Sequence, residues 1–170
     1  MVGTAEIPVG DPRGFRVLDA SRAAALQAWV GTLIPAWGPR PAADAVGAAE
    51  YIDATVFMVP ALRPALLQAI DLLEGVARAN GGKSFAGSTP EAREASLREF
   101  DSIDPSDAFN MVRDFTYEAY YGHPRVLAAL ESETGWSATS STAGSVMRPF
   151  DASRLERVRS LPARWRKPGT

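Results

Sequence analysis

The stretch "ALRPALLQAIDLLEGVARANGG", residues 61–82, does most to limit what this chain can fold into. Leu62, Leu66, Ala69, Ile70, Leu73 and Val76 recur at three- and four-residue spacing, which makes one apolar stripe along a helix. Pro64 falls in the first turn, where its missing N–H costs nothing. Asn80-Gly81-Gly82 then ends the helix as a left-handed cap does. A long helix with one apolar face must bury that face against other elements. Nothing else in the sequence alternates over more than a few residues, so the neighbours are predicted to be helices too.

The remaining segments fit that expectation. Ser21 is the expected cap of a first helix with Leu26, Trp29, Val30 and Leu33 inward and Pro35 as its stop. A second helix is predicted from Ala43 or Asp44, with Val46, Ala49, Ile52, Val56 and Val59 toward the core, until Pro60 breaks it. "STPE", residues 88–91, reads as a capping box between Ser88 and Glu91 that opens a fourth helix facing inward through Leu97, Phe100 and Ile103. A fifth helix is expected from Asp104, with Pro105 at its first position, to Gly122. A sixth runs from Pro124 to Gly135. The prediction is an all-α fold: a compact bundle of five to six helices over residues 21–136, an extended N-terminal arm over 1–20, and a linker with a basic C-terminal tail over 137–170.

Charge divides the chain. From Arg148 onward there are seven Lys/Arg and two Asp/Glu, a balance of +5, whereas the first 147 residues hold eleven basic and eighteen acidic groups, or -7. An acidic body with a basic tail is unlike a general nucleic-acid binder, and the tail suits an acidic surface. The chain has no cysteine, which excludes disulfides, thiolate metal sites and haem attachment through C-x-x-C-H. No apolar run reaches the roughly 18 residues of a membrane span. The opening "MVGTAEIPVGDPRGF" has neither a signal-peptide pattern nor paired arginines, so the expected location is cytoplasmic.

No self-sufficient catalytic group emerges. "GGKS", residues 81–84, lacks both the earlier glycine and the preceding strand of a phosphate-binding loop. His123 is the only imidazole and lies at a helix junction, beside Glu118 and Tyr121 but with no nucleophile in an arrangement for covalent chemistry. A hydrogen bond at the turn or a partner contact are its alternatives to catalysis. Glu50 with Asp53, and Asp114 with Glu118, share helix faces as the carboxylates of di-iron proteins do, but the Glu-x-x-His signature is missing. Pairing with arginines such as Arg113, or helix capping, is the expected use of these carboxylates.

The densest segment is "RDFTYEAYYGHPRVLAALESETGW", residues 113–136. At about 100° per residue, Phe109, Val112, Phe115 and Ala119 form one stripe with Tyr120 beside it, while Tyr117 and Tyr121 fall on another side. A second aromatic face either lies under another helix or anchors a partner, because aromatic rings bury much area at small entropic cost.

The ordered segments "TLIPAWGPRPAADAVGAAEYIDATV", "GKSFAGSTPEAREASLREFD" and "FNMVRDFTYEAYYGHP", together with the long Leu-rich helix, carry a resemblance. From about Leu26 to Trp136 the chain resembles the small subunit of gluconate 2-dehydrogenase, the subunit 3 or gamma family, which also serves flavin-dependent glucose and glycoside dehydrogenases. The resemblance implies a noncatalytic helical subunit that binds and stabilises a large FAD-dependent oxidoreductase of the glucose-methanol-choline type. FAD would reside in that partner, with no cofactor or metal in this chain. Many members carry a twin-arginine signal; this sequence shows none. The candidate partner-binding residues are then Tyr117, Glu118, Tyr120, Tyr121, His123, Trp136 and, in the basic tail, Trp165. Two rival classes remain: a stand-alone helical adaptor for an acidic partner, and a small enzyme using His123 with Glu118 or Asp114.

Overall fold

A computed structural model describes residues 14–103, 107–138 and 149–161. It consists of helices α1 (Ala20–Leu33), α2 (Ala48–Met58), α3 (Arg63–Ala79), α4 (Pro90–Ile103), α5 (Ala108–Gly122) and α6 (Pro124–Thr134). No β-strand occurs among the described residues, only an isolated bridge between Trp37 and Arg40. The all-α expectation therefore holds. The chain forms two units, residues 1–137 and 138–170. In the second, Asp151 caps a 3-10 turn, Ala152–Leu155, by accepting from Ser153 N–H at 3.0 Å, and a short turn of helix, Glu156–Arg159, follows.

The first unit is built around α5, which packs on α1, α2, α3 and α6. Its core joins Leu26, Trp29 and Val30 of α1 to Ile52 and Val56 of α2, Leu66, Ile70 and Leu73 of α3, Phe100 of α4 and Val112 of α5. Trp29 meets Phe100 edge-on at 5.2 Å between ring centroids and lies 6.1 Å from Phe109, so three helices share one aromatic cluster. The stripe on α3 is as expected from Leu66 onward, with Leu66, Ala69, Ile70, Leu73 and Val76 buried, but Leu62 ends the 3-10 turn before the helix and is only half-buried. Its end satisfies two orphan carbonyls: Gly81 N–H donates to Arg78 O at 3.0 Å and Gly82 N–H to Ala77 O at 2.9 Å. Gly81 takes φ +85°, which a side chain would resist, so "GGKS" is a helix stop.

Several boundaries differ from expectation, each for a local reason. Asp19, not Ser21, caps α1, its carboxylate accepting from Arg22 N–H at 2.9 Å. The second helix does not run from Ala43 or Asp44. A 3-10 turn, Asp44–Val46, ends at Gly47 in the left-handed region (φ +76°), and α2 starts after it. Val59 is exposed rather than inward. Pro60 cannot continue the α2 hydrogen bonding, so Val59 leaves helical geometry and the chain turns through 111° toward α3. Thr89, not Ser88, caps α4 by accepting from Ala92 N–H at 3.3 Å, whereas Ser88 donates to Ser84 O at 2.8 Å. Ile103 is exposed, because each three-residue step from Leu97 rotates about 60° further from the buried face. The fifth helix starts at Ala108 rather than near Asp104 and Pro105, which lie outside the described residues.

The expected N-terminal arm is only partly an arm. Residues 1–13 lie outside the described residues, but the segment leading into α1 is fastened to α2. Asp53, 1% exposed, accepts from the backbone N–H groups of Arg16 at 2.5 Å and of Val17 and Leu18 at 3.0 Å each. This corrects the expectation that Asp53 pairs with an arginine or caps a helix. Phe85, fully buried between α3 and α4, was likewise not evident in the sequence; Glu74 holds it by accepting from its N–H at 3.1 Å.

Candidate docking surface on the fifth helix

α5 sorts its three tyrosines by their angular position. Tyr120 is 2% exposed and its hydroxyl donates to Pro41 O at 2.9 Å, which ties α5 to the loop after α1. Burial raises its phenol pKa, with Arg40 opposing. Tyr120 thus serves the subunit's own core. Tyr117 and Tyr121 are 44% and 49% exposed, with ring centroids 6.2 Å apart. Tyr121 is also held edge-on against Tyr120 at 5.2 Å, so the buried ring fixes the position of an exposed one.

Glu118 lies between the two exposed tyrosines, and the Tyr51 phenol on α2 has its pKa raised first by burial and then by the nearby Glu118 carboxylate. Asp114, one turn earlier, accepts from Arg113 through one oxygen only, Oδ1, at 2.9 Å and 3.0 Å. His123 caps α6: its Nδ1 accepts from Arg125 N–H at 3.2 Å. The structural alternative for His123 is the one observed. No hydrogen bond joins His123 to Glu118 or Asp114 among the described residues.

Loss of solvation, followed by the nearby Arg125 charge, lowers the His123 pKa below its usual value near 6.5. The folded chain therefore binds this proton less readily than the unfolded chain. The cap's contribution is complete above the unfolded pKa and is lost as pH falls through the lower folded value. Urea midpoints for the wild type should fall as the pH is lowered from above the unfolded imidazole value of about 6.5 through the lower folded one. His123→Asn, which keeps a capping side chain, should flatten that part of the profile.

Trp37 is a surface residue that the sequence reading passed over. It is 73% exposed on a turn closed by reciprocal Trp37–Arg40 backbone bonds of 3.0 Å, with Gly38 at φ +55°. A groove of about 280 Å³ lined by Ile34, Pro35, Trp37, Arg40, Tyr120 and Tyr121 places Trp37 and Tyr121 on one face. Arg40 Nε lies 3.1 Å from Glu133 Oε2 of α6, close enough for an ion pair although the N–H is not aligned on the carboxylate. A single Trp within a Pro/Gly loop was the available signal, because such a loop has no periodic inner face to bury it. Trp136, 47% exposed, follows the Gly135 stop of α6. Trp165 lies outside the described residues.

Other surfaces carry less chemistry. A cleft of about 590 Å³ is lined by Asp44, Glu91, Arg93 and Glu94 with small residues such as Ala28 and Gly31, and it contains no histidine. Phe57, Met58 and Val59 expose a second apolar corner, where Arg16 lies 5.1 Å from the Phe57 ring centroid. Among the described residues no group of three or more His, Asp or Glu side chains could hold a metal ion. No single helix among them is long and apolar enough to cross a membrane.

The fold and this surface define a helical, subunit-type protein: a complete core of its own, and exposed aromatic rings beside it. A family model described as gluconate 2-dehydrogenase subunit 3 matches residues 20–140. The chain belongs to the gluconate 2-dehydrogenase subunit 3 family, and membership implies a subunit of a gluconate dehydrogenase complex. No curated protein and no solved structure matches the chain.

Proposed function

We propose that this chain is a noncatalytic small subunit that binds and stabilises a large FAD-dependent oxidoreductase of the glucose-methanol-choline type, acting on a sugar, a glycoside or a related alcohol. Family membership supports the role of subunit. The observation that carries the docking site is the exposed pair Tyr117 and Tyr121, with Trp37 on the same face as Tyr121. Tyr121 rests edge-on against the buried Tyr120 ring and Tyr117 lies beside Tyr121, so less side-chain freedom is lost when a partner covers this pair. In this reading the partner holds FAD and takes the hydride, and this chain supplies surface and stability.

Affinity purification of the chain from its native host, with mass spectrometry and a visible spectrum, tests the reading. The expected result is a larger chain carrying bound flavin. Tyr117→Ala and Tyr121→Ala should each weaken the complex by about 30-fold, the value of a 2 kcal/mol interface anchor, while the isolated chain keeps its helical circular dichroism. A colourless single chain, or a complex indifferent to both substitutions, would overturn it.

A further inference from the structure

Asp114, Tyr117, Glu118 and Tyr121 follow one another at three-, one- and three-residue steps, so they fall within about 100° of arc on α5, and all four are exposed. Acid and aromatic alternate along this stripe. Of its two carboxylates, Asp114 is paired from within by Arg113, whereas Glu118 is not. Arg113 engages only Oδ1 of Asp114, which leaves Oδ2 without a partner among the described residues. Glu118 lies near the neutral phenol of Tyr51 and has no cation within ion-pair distance among them.

We infer that this stripe recognises arginine side chains on a protein partner. A guanidinium is flat and weakly hydrated. It can stack on the face of Tyr117 or Tyr121 while its N–H groups bond the adjoining carboxylates. A lysine ammonium matches the charge but not the plane, and it gives up its water less readily. The acidic balance of the body, -7 over the first 147 residues, favours approach of the same cationic segment. The inference deepens the docking reading above and rests on it for the identity of the partner; the stripe's preference for arginine can be measured without that partner.

The test uses the full chain with blocked hexa-arginine and hexa-lysine peptides as probes, followed through the tyrosine ring resonances by NMR. Hexa-arginine should move the Tyr117 and Tyr121 signals and bind about fivefold more tightly than hexa-lysine. Glu118→Gln should remove most of that preference, and Tyr117→Phe, which keeps the ring, should retain it. Because Glu118 also lies near the half-buried Tyr51, Asp114→Asn serves as a second variant with less effect on packing, and it should weaken hexa-arginine binding as well.

Equal affinity for the two peptides, shifts confined to other residues, or indifference to both carboxylate substitutions would each overturn the inference. So would a concentration-dependent rise in sedimenting mass abolished by Tyr121→Ala, which would assign the stripe to a second copy of this chain. If arginine selectivity fails while a flavoprotein still co-purifies, only this inference falls. If selectivity holds on a colourless chain, only the flavoprotein reading falls.

Discussion

Trp29→Ala should cost about 3–5 kcal/mol of folding stability, the largest effect expected of any single substitution in this subunit. The indole is fully buried and touches aromatic rings from two other helices, Phe100 at 5.2 Å and Phe109 at 6.1 Å. Removing it opens a cavity where α1, α4 and α5 meet. Rigid helices cannot close such a gap without breaking their other contacts. The loss is a large fraction of the roughly 5–15 kcal/mol that holds a domain together. Trp29→Phe should cost much less, because most of the ring volume remains and the indole Nε1–H, buried with no acceptor among the described residues, is removed. Urea denaturation of the three proteins decides the matter. A Trp29→Ala midpoint close to wild type would mean that the aromatic cluster contributes little.

Asp53→Ala should cost about 3 kcal/mol, through a different mechanism. The carboxylate is the acceptor for three successive backbone N–H groups, at residues 16, 17 and 18. Without it those donors must either stay unpaired against the core or leave for water. Leaving would pull Leu18, which is buried, and Phe15 and Val17, which pack on the core, away from α2. Hydration limits the penalty to less than three full desolvation costs, so the visible result is local: amide exchange at Arg16, Val17 and Leu18 should accelerate far more than exchange within α3. Asp53→Asn should be nearly as damaging, since its carboxamide nitrogen would face N–H donors instead of accepting from them. If exchange at all three amides is unchanged in Asp53→Ala, the clamp is not what fastens this segment.

These two residues show where sequence reading reached and where it stopped. Trp29 was legible: it falls on the apolar stripe of α1, and such periodicity follows from the helix itself. Asp53 was legible only as a carboxylate on a helix. Its partners lie 35 to 37 residues earlier in the chain, and no local pattern announces them. The same division runs through the docking surface. Tyr117 and Tyr121 could be placed off the inner stripe by counting residues, and they are exposed. Tyr120 needed the fold, because the acceptor of its hydroxyl is Pro41, 79 residues away. Trp37 sits in a loop, where there is no period to count, and its place beside Tyr121 exists only once α1 and α5 have packed.

The sequence by itself therefore determined the helical class, the order of the elements, most of their stops and the family, because these rest on periodicity, on proline and glycine backbone limits, and on an ordered set of motifs. The tertiary structure alone decided which carboxylates act as clamps, that Phe85 of the loop between α3 and α4 is fully buried, and which aromatics form one surface. Each of those depends on groups distant in sequence being brought within a few ångströms of one another, and that information resides in the packing of the helices rather than in any one of them.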